Sequence, residues 1–310
     1  MELRHLRYFL MVAEEQQFTR AALRLNIQQP PLSNQIRLLE QELGFELFRR
    51  HPKGVELTAG GEVFLLEAKA ILHRVEEGAK RAARAAQGFE GSLAVGFTSS
   101  SAAHPLIPGI IRVFRELYPQ VQLHLSEGSA GELTDAMVAR KVNIAILRAP
   151  VARPEGLVMH RLLNEEMLLV MPVGHRLLTG DLSSDGLPTI DIGALADESF
   201  ILTRRPGSFG MYSKFIDVCE ASGFIPKIAF EVERMMTNIN LVAAGAGISV
   251  VPASMQGFHR NSVVYCRIGG ARPKLLAPVT MLCAADDLNP TTQNFVALAK
   301  TSAVRYRKQT

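Results

Sequence analysis

The chain has 310 residues, 47% hydrophobic and 21% charged, with a formal net charge of +4. That length allows one small domain plus a larger one, and the composition excludes a disordered or membrane-spanning chain: there is no polar low-complexity tract, and no apolar run is long enough to cross a bilayer. Cys219, Cys266 and Cys283 are scattered, form neither a disulfide framework nor a CxxC pair, and read as core filler in a cytoplasmic protein without an export signal.

Leu3, Leu6, Phe9, Leu10 and Ala13 repeat at helical spacing and predict a first helix over about fifteen residues. After Phe18, Thr19 is placed to cap a short second helix carrying Ala21, Ala22 and Leu25. Pro30 and Pro31 suit the first turn of a third helix, which Gly44 stops. On that helix Leu32, Ile36, Leu39 and Leu43 form a buried stripe, and Ser33, Asn34, Arg37 and Gln41 fall on the other face. Short hydrogen-bonding groups with one arginine are the chemistry that reads base edges and phosphates from the major groove, and Gln29 sits at the helix N-terminus. An isolated helix of this kind is more often merely solvated; the next element changes that balance. Glu46–Arg50 and Val55–Thr58 flank His51-Pro52-Lys53-Gly54 and predict a hairpin whose tip gathers Arg49, Arg50, His51 and Lys53. A basic hairpin after three short helices completes a winged helix-turn-helix suited to straddling a phosphate backbone. Over residues 1–60 acidic and basic side chains nearly cancel, so the argument rests on where charges sit.

MELRHLRYF, FTRAALRLNIQQPPLSNQIRLLEQELGFELFRR and GVELTAGGEVF resemble, without a gap, the N-terminal region of LysR-type transcriptional regulators. The resemblance implies that Gln29, Pro30, Ser33 and Arg37, with the wing residues Arg50 and Lys53, lie at double-stranded DNA carrying a dyad operator. Asn34 stands where the family often has arginine, so base preference at that contact does not carry over.

Leu65, Ala68, Leu72, Val75 and Ala79 continue through Ala82 and Ala86 as a heptad seam over residues 59–91, a pattern that wants a partner helix, although a long helix packed on its own domain would also use it. A dimer would present two recognition helices to two half-sites, and the resemblance implies a linker helix, a dimer and usually a tetramer, with RNA polymerase as a further partner.

From residue 92 the chain alternates strands (92–97, 121–125, 143–147) with helices, which predicts a mostly parallel sheet flanked by helices. Ligands in such sheets sit beyond the strand C-termini, where Thr98–Ser101 and Ser129 offer hydroxyls and amides and Arg148 offers a cation for a carboxylate. A second αβ region follows, with strands at 168–171, 200–203, 229–232 and 248–251. Two such lobes make a cleft. LVAAGAGISVVPAS and the arginine after IAIL resemble the LysR-type effector domain, closest to the branch controlling aromatic-compound catabolism. That resemblance implies an α/β fold with an N-terminal winged helix-turn-helix (1–58), a linker helix (59–91) and a two-lobed, periplasmic-binding-protein-like effector domain (92–310). Lobe I would span about 92–164 and 268–310, lobe II about 165–267, with Ser100, Ser129, Arg148 and Phe209 lining a cavity for an aromatic or carboxylic acid; Ser99 on the strand-end rim and Arg204 after the 200–203 strand are read from the residues as joining them, although an arginine such as Arg204 is more often solvated. Serines after strands are as often plain helix caps, and Phe209 would also serve as core. GxSxG, P-loop and HExxH motifs are absent, and Gly245-Ala-Gly247 lacks the final glycine of GxGxxG, so no enzyme, metal or cofactor is expected.

Overall fold

The computed structural model describes residues 1–52, 54–149, 154–178, 186–203 and 212–309, and the chain divides into two compact units, Met1–Arg84 and Ala85–Thr310. In the first unit, α1 (Leu3–Glu15), α2 (Phe18–Arg24) and α3 (Gln29–Leu43) are followed by a hairpin of β1 (Phe48–His51) and β2 (Gly54–Leu57) and by the long α4 (Ala59–Ala86). Leu6, Phe9 and Val12 of α1 close on Leu32, Ile36 and Leu39 of α3, with Phe18, Phe48 and Ala68 completing one apolar core. Thr19 does not cap α2: that role falls to Gln17, whose side chain makes no capping bond, because Phe18 is drawn into the core as the first helical residue. Gly44 ends α3 at φ 82°, a left-handed conformation that costs glycine little.

Burial along α4 divides the heptad. Ala68 is fully buried in the head's own core and Leu65 and Leu72 pack partly against it, whereas Val75 and Ala79 are exposed. The exposed apolar positions include Val63 and Leu66, at 66% and 68%, which lie off the expected seam.

The second unit runs β3 (Glu90–Phe97), α5 (Ser99–Ala102), α6 (Leu106–Leu117), β4 (Gln120–Glu127), α7 (Ala130–Val138), β5 (Ile144–Leu147), β6 (Leu157–Pro172), β7 (Thr189–Asp191), β8 (Ser199–Thr203), α8 (Ser213–Ala221), β9 (Lys227–Val232), α9 (Met235–Ala243), β10 (Ser249–Pro252), β11 (Val263–Gly269), β12 (Leu276–Ala284) and α10 (Pro290–Gln309). Among the described residues the main sheet has the order β4-β3-β5-β12-β6-β11-β7, with β10 also on β6. β3 is parallel to β4 and β5, as a βαβ alternation requires, but β12 is antiparallel to both β5 and β6. The sheet is therefore mixed rather than mostly parallel. β6 and β12 are not joined by a crossover helix, so helix–strand alternation gives no notice of them.

β6 belongs to two cores. Its residues Leu157–Glu166 pair with β12, and Met167–Pro172 pair with β10 and β11. On the first side Leu93, Val95, Ile107, Phe114, Ile146 and Phe295 pack together; on the second, Phe200, Phe215, Ile239 and Val250 join Leu168–Met171. Two lobes thus share one strand that crosses between them near Glu166. Among the described residues no helix is long and apolar enough to cross a membrane.

Candidate functional site

The head presents α3 with its stripe turned inward and Gln29, Pro30, Asn34, Arg37 and Gln41 exposed. The Arg37 guanidinium donates to Asn34 Oδ1 at 3.1 Å, one turn along the same face. The hydroxyl of Ser33 is shielded and has no protein partner. His5, buried beneath α3, accepts the Glu2 N–H on Nδ1 at 3.2 Å, so the neutral ring carries its proton on Nε2 and donates it to Gln35 Oε1 at 2.7 Å. That bond, with the apolar stripe, fixes the rotation of α3 about its axis.

The hairpin is held at both ends. Glu40 Oε1, on α3, accepts the backbone N–H groups of Leu47 and Phe48 at 2.8 and 3.2 Å. Val55 N–H donates to Gln16 O at 2.9 Å, and a Cβ at Gly54, whose φ is 148°, would stand 2.4 Å from that same oxygen. Arg50 lies with its guanidinium carbon 4.9 Å from the centroid of the Phe18 ring, and Arg49 is 3.8 Å from Glu56 across the hairpin. Arg20 and Arg24, by contrast, are neutralised by Glu14 and Glu15 at 2.6–2.8 Å. Among the described residues the arginines of α3 and the wing are Arg37, Arg49 and Arg50, of which Arg49 faces Glu56. Lys53 lies outside the described residues.

In the second unit Arg148 ends β5 where expected but is only 4% exposed. Its Nη1 is 2.5 Å from Glu165 Oε1, and its Nη2 donates to the Ser100 carbonyl and, at 3.0 Å, to Ser254 Oγ. Glu165 in turn accepts Ser254 N–H at 2.6 Å and Ser254 O–H at 2.9 Å. Burial lowers the affinity of the guanidinium for its proton, and the Glu165 carboxylate opposes that. An arginine expected to meet a ligand's carboxylate thus already faces a carboxylate of its own chain. Glu165 and Ser254 were not foreseen; the signal available was an acidic pair, Glu165-Glu166, opening an otherwise apolar strand run.

The hydroxyls divide similarly. Ser129 is the N-cap of α7 in a reciprocal capping box: its Oγ accepts from Glu132 N–H at 3.3 Å, and its own N–H donates to Glu132 Oε2 at 2.7 Å. Thr98 caps α5, and Ser101 O–H donates to Ile146 O at 2.7 Å. Ser100 is buried with its Oγ 3.3 Å from that of Thr98, and Ser99 is half-buried beside it. Arg204 and Phe209 lie outside the described residues.

A cleft of 350 Å³ opens next to the Arg148 network, lined by His104, Glu165, Ser254, Tyr306 and Arg307 among others. His104 accepts Leu106 N–H on Nδ1 at 3.1 Å, its ring centroid is 5.1 Å from that of Tyr306, and burial pushes its pKa down, so the imidazole is neutral near pH 7. Among the described residues no His, Cys, Asp or Glu cluster would hold a metal. All three cysteines are buried, and burial raises the Cys219 and Cys266 thiols to about 12 and about 11, which leaves them unreactive.

A helix-turn-helix with a fastened basic wing, carried on a chain with a two-lobed α/β ligand domain, defines a DNA-binding regulator with a built-in sensor. Residues 3–62 match the bacterial regulatory helix-turn-helix protein, lysR family, and residues 86–303 match the LysR substrate binding domain. The chain belongs to the LysR family of transcriptional regulators. It is 34% identical over 308 residues to the HTH-type transcriptional regulator AlsR of Bacillus subtilis (strain 168), spanning 99% of this chain and 98% of that protein. With BenM of Acinetobacter baylyi (strain ATCC 33305 / BD413 / ADP1) it shares 32% identity over 265 residues, 86% of this chain and 84% of that protein. Full-length CbnR, solved in complex with its target DNA, superposes with a TM-score of 0.81 at 28% identity, covering 98% of this chain and 100% of that one. These relatives are regulators, not enzymes.

Proposed function

We propose that this regulator, acting in the cytoplasm, reads a dyad operator with α3 and its wing, pairs through α4, and changes its grip on DNA when a small acid enters the cleft of its second unit. In this reading residues 1–58 form the reading head, 59–91 the linker helix and 92–310 the effector domain. Gln29, Pro30, Ser33, Asn34 and Arg37 meet base edges and phosphates, while Arg50 and Lys53 add sequence-independent phosphate contacts. The observation that carries the DNA assignment is the exposed Arg37–Asn34 pair on a helix whose rotation His5 fixes. The paired surface on α4 takes in Val75 and Ala79, with Leu65, Ala68 and Leu72 mainly holding the helix to its own head. Two dimers then assemble as a tetramer that presents its DNA to RNA polymerase.

For the effector we keep the aromatic or carboxylic acid that the sequence resemblance implies, with Ser99, Ser100, Ser129, Arg204 and Phe209 assigned to receive it. Arg148 serves that site from behind, by holding the Ser100 carbonyl and hence the start of α5. The test is fluorescence anisotropy on the duplex upstream of the gene. Arg37→Ala should weaken specific binding by about 1–3 kcal/mol while leaving random-duplex binding nearly unchanged. Equal losses on both duplexes would reject the recognition-helix role.

A further inference from the structure

The ion pair between Glu127 and Arg234 joins the two lobes. Glu127 ends β4, in the sheet of the first lobe, immediately before Gly128 and the α7 cap Ser129. Arg234 is the N-cap residue of α9, whose Met235, Ile239 and Val242 are rooted in the core of the second lobe. The Arg234 guanidinium donates from Nη1 to Glu127 Oε1 at 3.0 Å across 107 positions of sequence. Both side chains remain well solvated, at 51% and 44% exposure. α5, which carries Ser99 and Ser100, packs against α9, and Ser129 stands two positions after Glu127, so each end of the pair sits on or beside an element that carries groups assigned to the effector.

Two arginines on described residues are thus placed to meet an acid, and their surroundings separate them. Drawing Arg148 away from Glu165 would strand a buried carboxylate, a change that proteins resist strongly. Drawing Arg234 away from Glu127 returns a half-exposed carboxylate to water, which costs little. The N-terminus of α9, with its unpaired N–H groups, also favours negative charge where Arg234 stands. Only the second exchange is open to a weak metabolite.

We propose that Arg234 is the cation that receives the effector's acid group, and that Glu127 occupies it in the meantime, tying the lobes until the ligand displaces it. The inference rests on the acidic-effector reading above and adds to it a named recipient and a resident competitor. Removing Glu127 should therefore loosen the ligand-free lobes and tighten acid binding together. A ligand that merely fills space would not link those two effects. The displacement is a population shift between two arrangements of the same lobes, driven by the difference in the pair each makes.

The experiment uses the full chain and four variants: Glu127→Gln, Arg234→Gln, their combination, and Glu116→Gln on α6 as a control with the same charge change. Succinate and benzoate are titrated by thermal shift, and hydrogen exchange of the α5 and α9 segments is followed without ligand. The expected result is a two- to fivefold lower apparent Kd for Glu127→Gln, the scale of an exposed ion pair, shrinking in high salt. Arg234→Gln should lose about tenfold in affinity, as for a truncated charge-assisted hydrogen bond. Glu116→Gln should match wild type, and both latch variants should exchange faster at α5 and α9. Unchanged or weaker binding by Glu127→Gln, or undiminished binding by Arg234→Gln, overturns the assignment. If wild type binds neither acid, the acidic-effector reading falls and the displacement with it. The tie between lobes is then judged by exchange alone, and unaltered exchange in both variants overturns that as well.

Discussion

The Arg148–Glu165 pair offers the sharpest test of the reasoning, because Arg148 is buried behind the cleft wall to which Glu165 contributes, which makes stability and function separable. Arg148→Met removes the guanidinium and keeps an unbranched apolar stem. Glu165 then loses a partner at 2.5 Å but keeps the Ser254 N–H and O–H at 2.6 and 2.9 Å, so it is not left bare. Breaking a buried pair from one side usually costs about 3–5 kcal/mol, and the two remaining hydrogen bonds place the expected loss at the low end, about 3 kcal/mol. For a folding unit of roughly 200 residues that corresponds to a fall in Tm of about 6–12 °C.

The assay is calorimetric unfolding of wild type, Arg148→Met, Glu165→Gln and the double variant. If the pair is internal, the double variant should recover much of the loss, since neutral partners leave no buried charge unpaired. Operator affinity without effector should be unaltered, whereas the response to effector should weaken because the Ser100 carbonyl loses its anchor. A fall in Tm of under 2 °C, or strictly additive single losses, would refute the claim that this arginine is committed to its own chain.

Further outcomes follow from other contacts. Gly54→Ala should destabilise the head by about 1–3 kcal/mol and weaken binding to all duplexes, since the new methyl meets the Gln16 carbonyl at a positive φ; an unshifted melting curve would contradict this. Burial lowers the pKa of His104 in the folded state, so the unfolded chain binds its proton first as pH falls. Wild type should therefore lose stability below about pH 6.5, relative to a His104→Asn variant that keeps an acceptor for Leu106 N–H. Parallel Tm curves for the two between pH 7.5 and 5 would rule that out. The three buried cysteines should resist iodoacetamide in the folded chain and react on unfolding; stoichiometric labelling of the native protein would show the burial to be misassigned.

The head was legible because its signals are local. Spacing of four and three residues placed Leu32, Ile36 and Leu39 inward, Gly44 marked a helix end, and Pro52 and Gly54 marked a turn, each within a few positions of the element it controls. Thr19 misled because a capping preference of order 1 kcal/mol competes with burial of a whole phenylalanine ring one position earlier, and the ring wins. The heptad is ambiguous in a related way. Periodicity specifies a buried stripe but not whose surface buries it, and at Leu65, Ala68 and Leu72 the chain supplies that surface itself. The doubled use of β6 was invisible for a different reason: the first half mixes exposed and buried positions without a regular period, with its pairing register broken at Leu162, and the other half is continuously apolar, so only the second half stood out as a strand.

The ligand unit shows where sequence reading stops. Arg148 was found because a strand end followed by arginine is a local pattern, yet its role depends on Glu165, seventeen positions on, and on Ser254 in the other lobe, at a separation of 106. The same holds for Glu127 and Arg234, which no window of sequence contains together. A charged residue read alone is an offer of charge. Whether the offer is still open is decided by a partner that the fold brings in from elsewhere, and the degree of burial decides how hard that partner is to displace. By that criterion the buried arginine belongs to the scaffold of the site and the half-exposed one to its ligand, the reverse of the order in which the sequence suggests them.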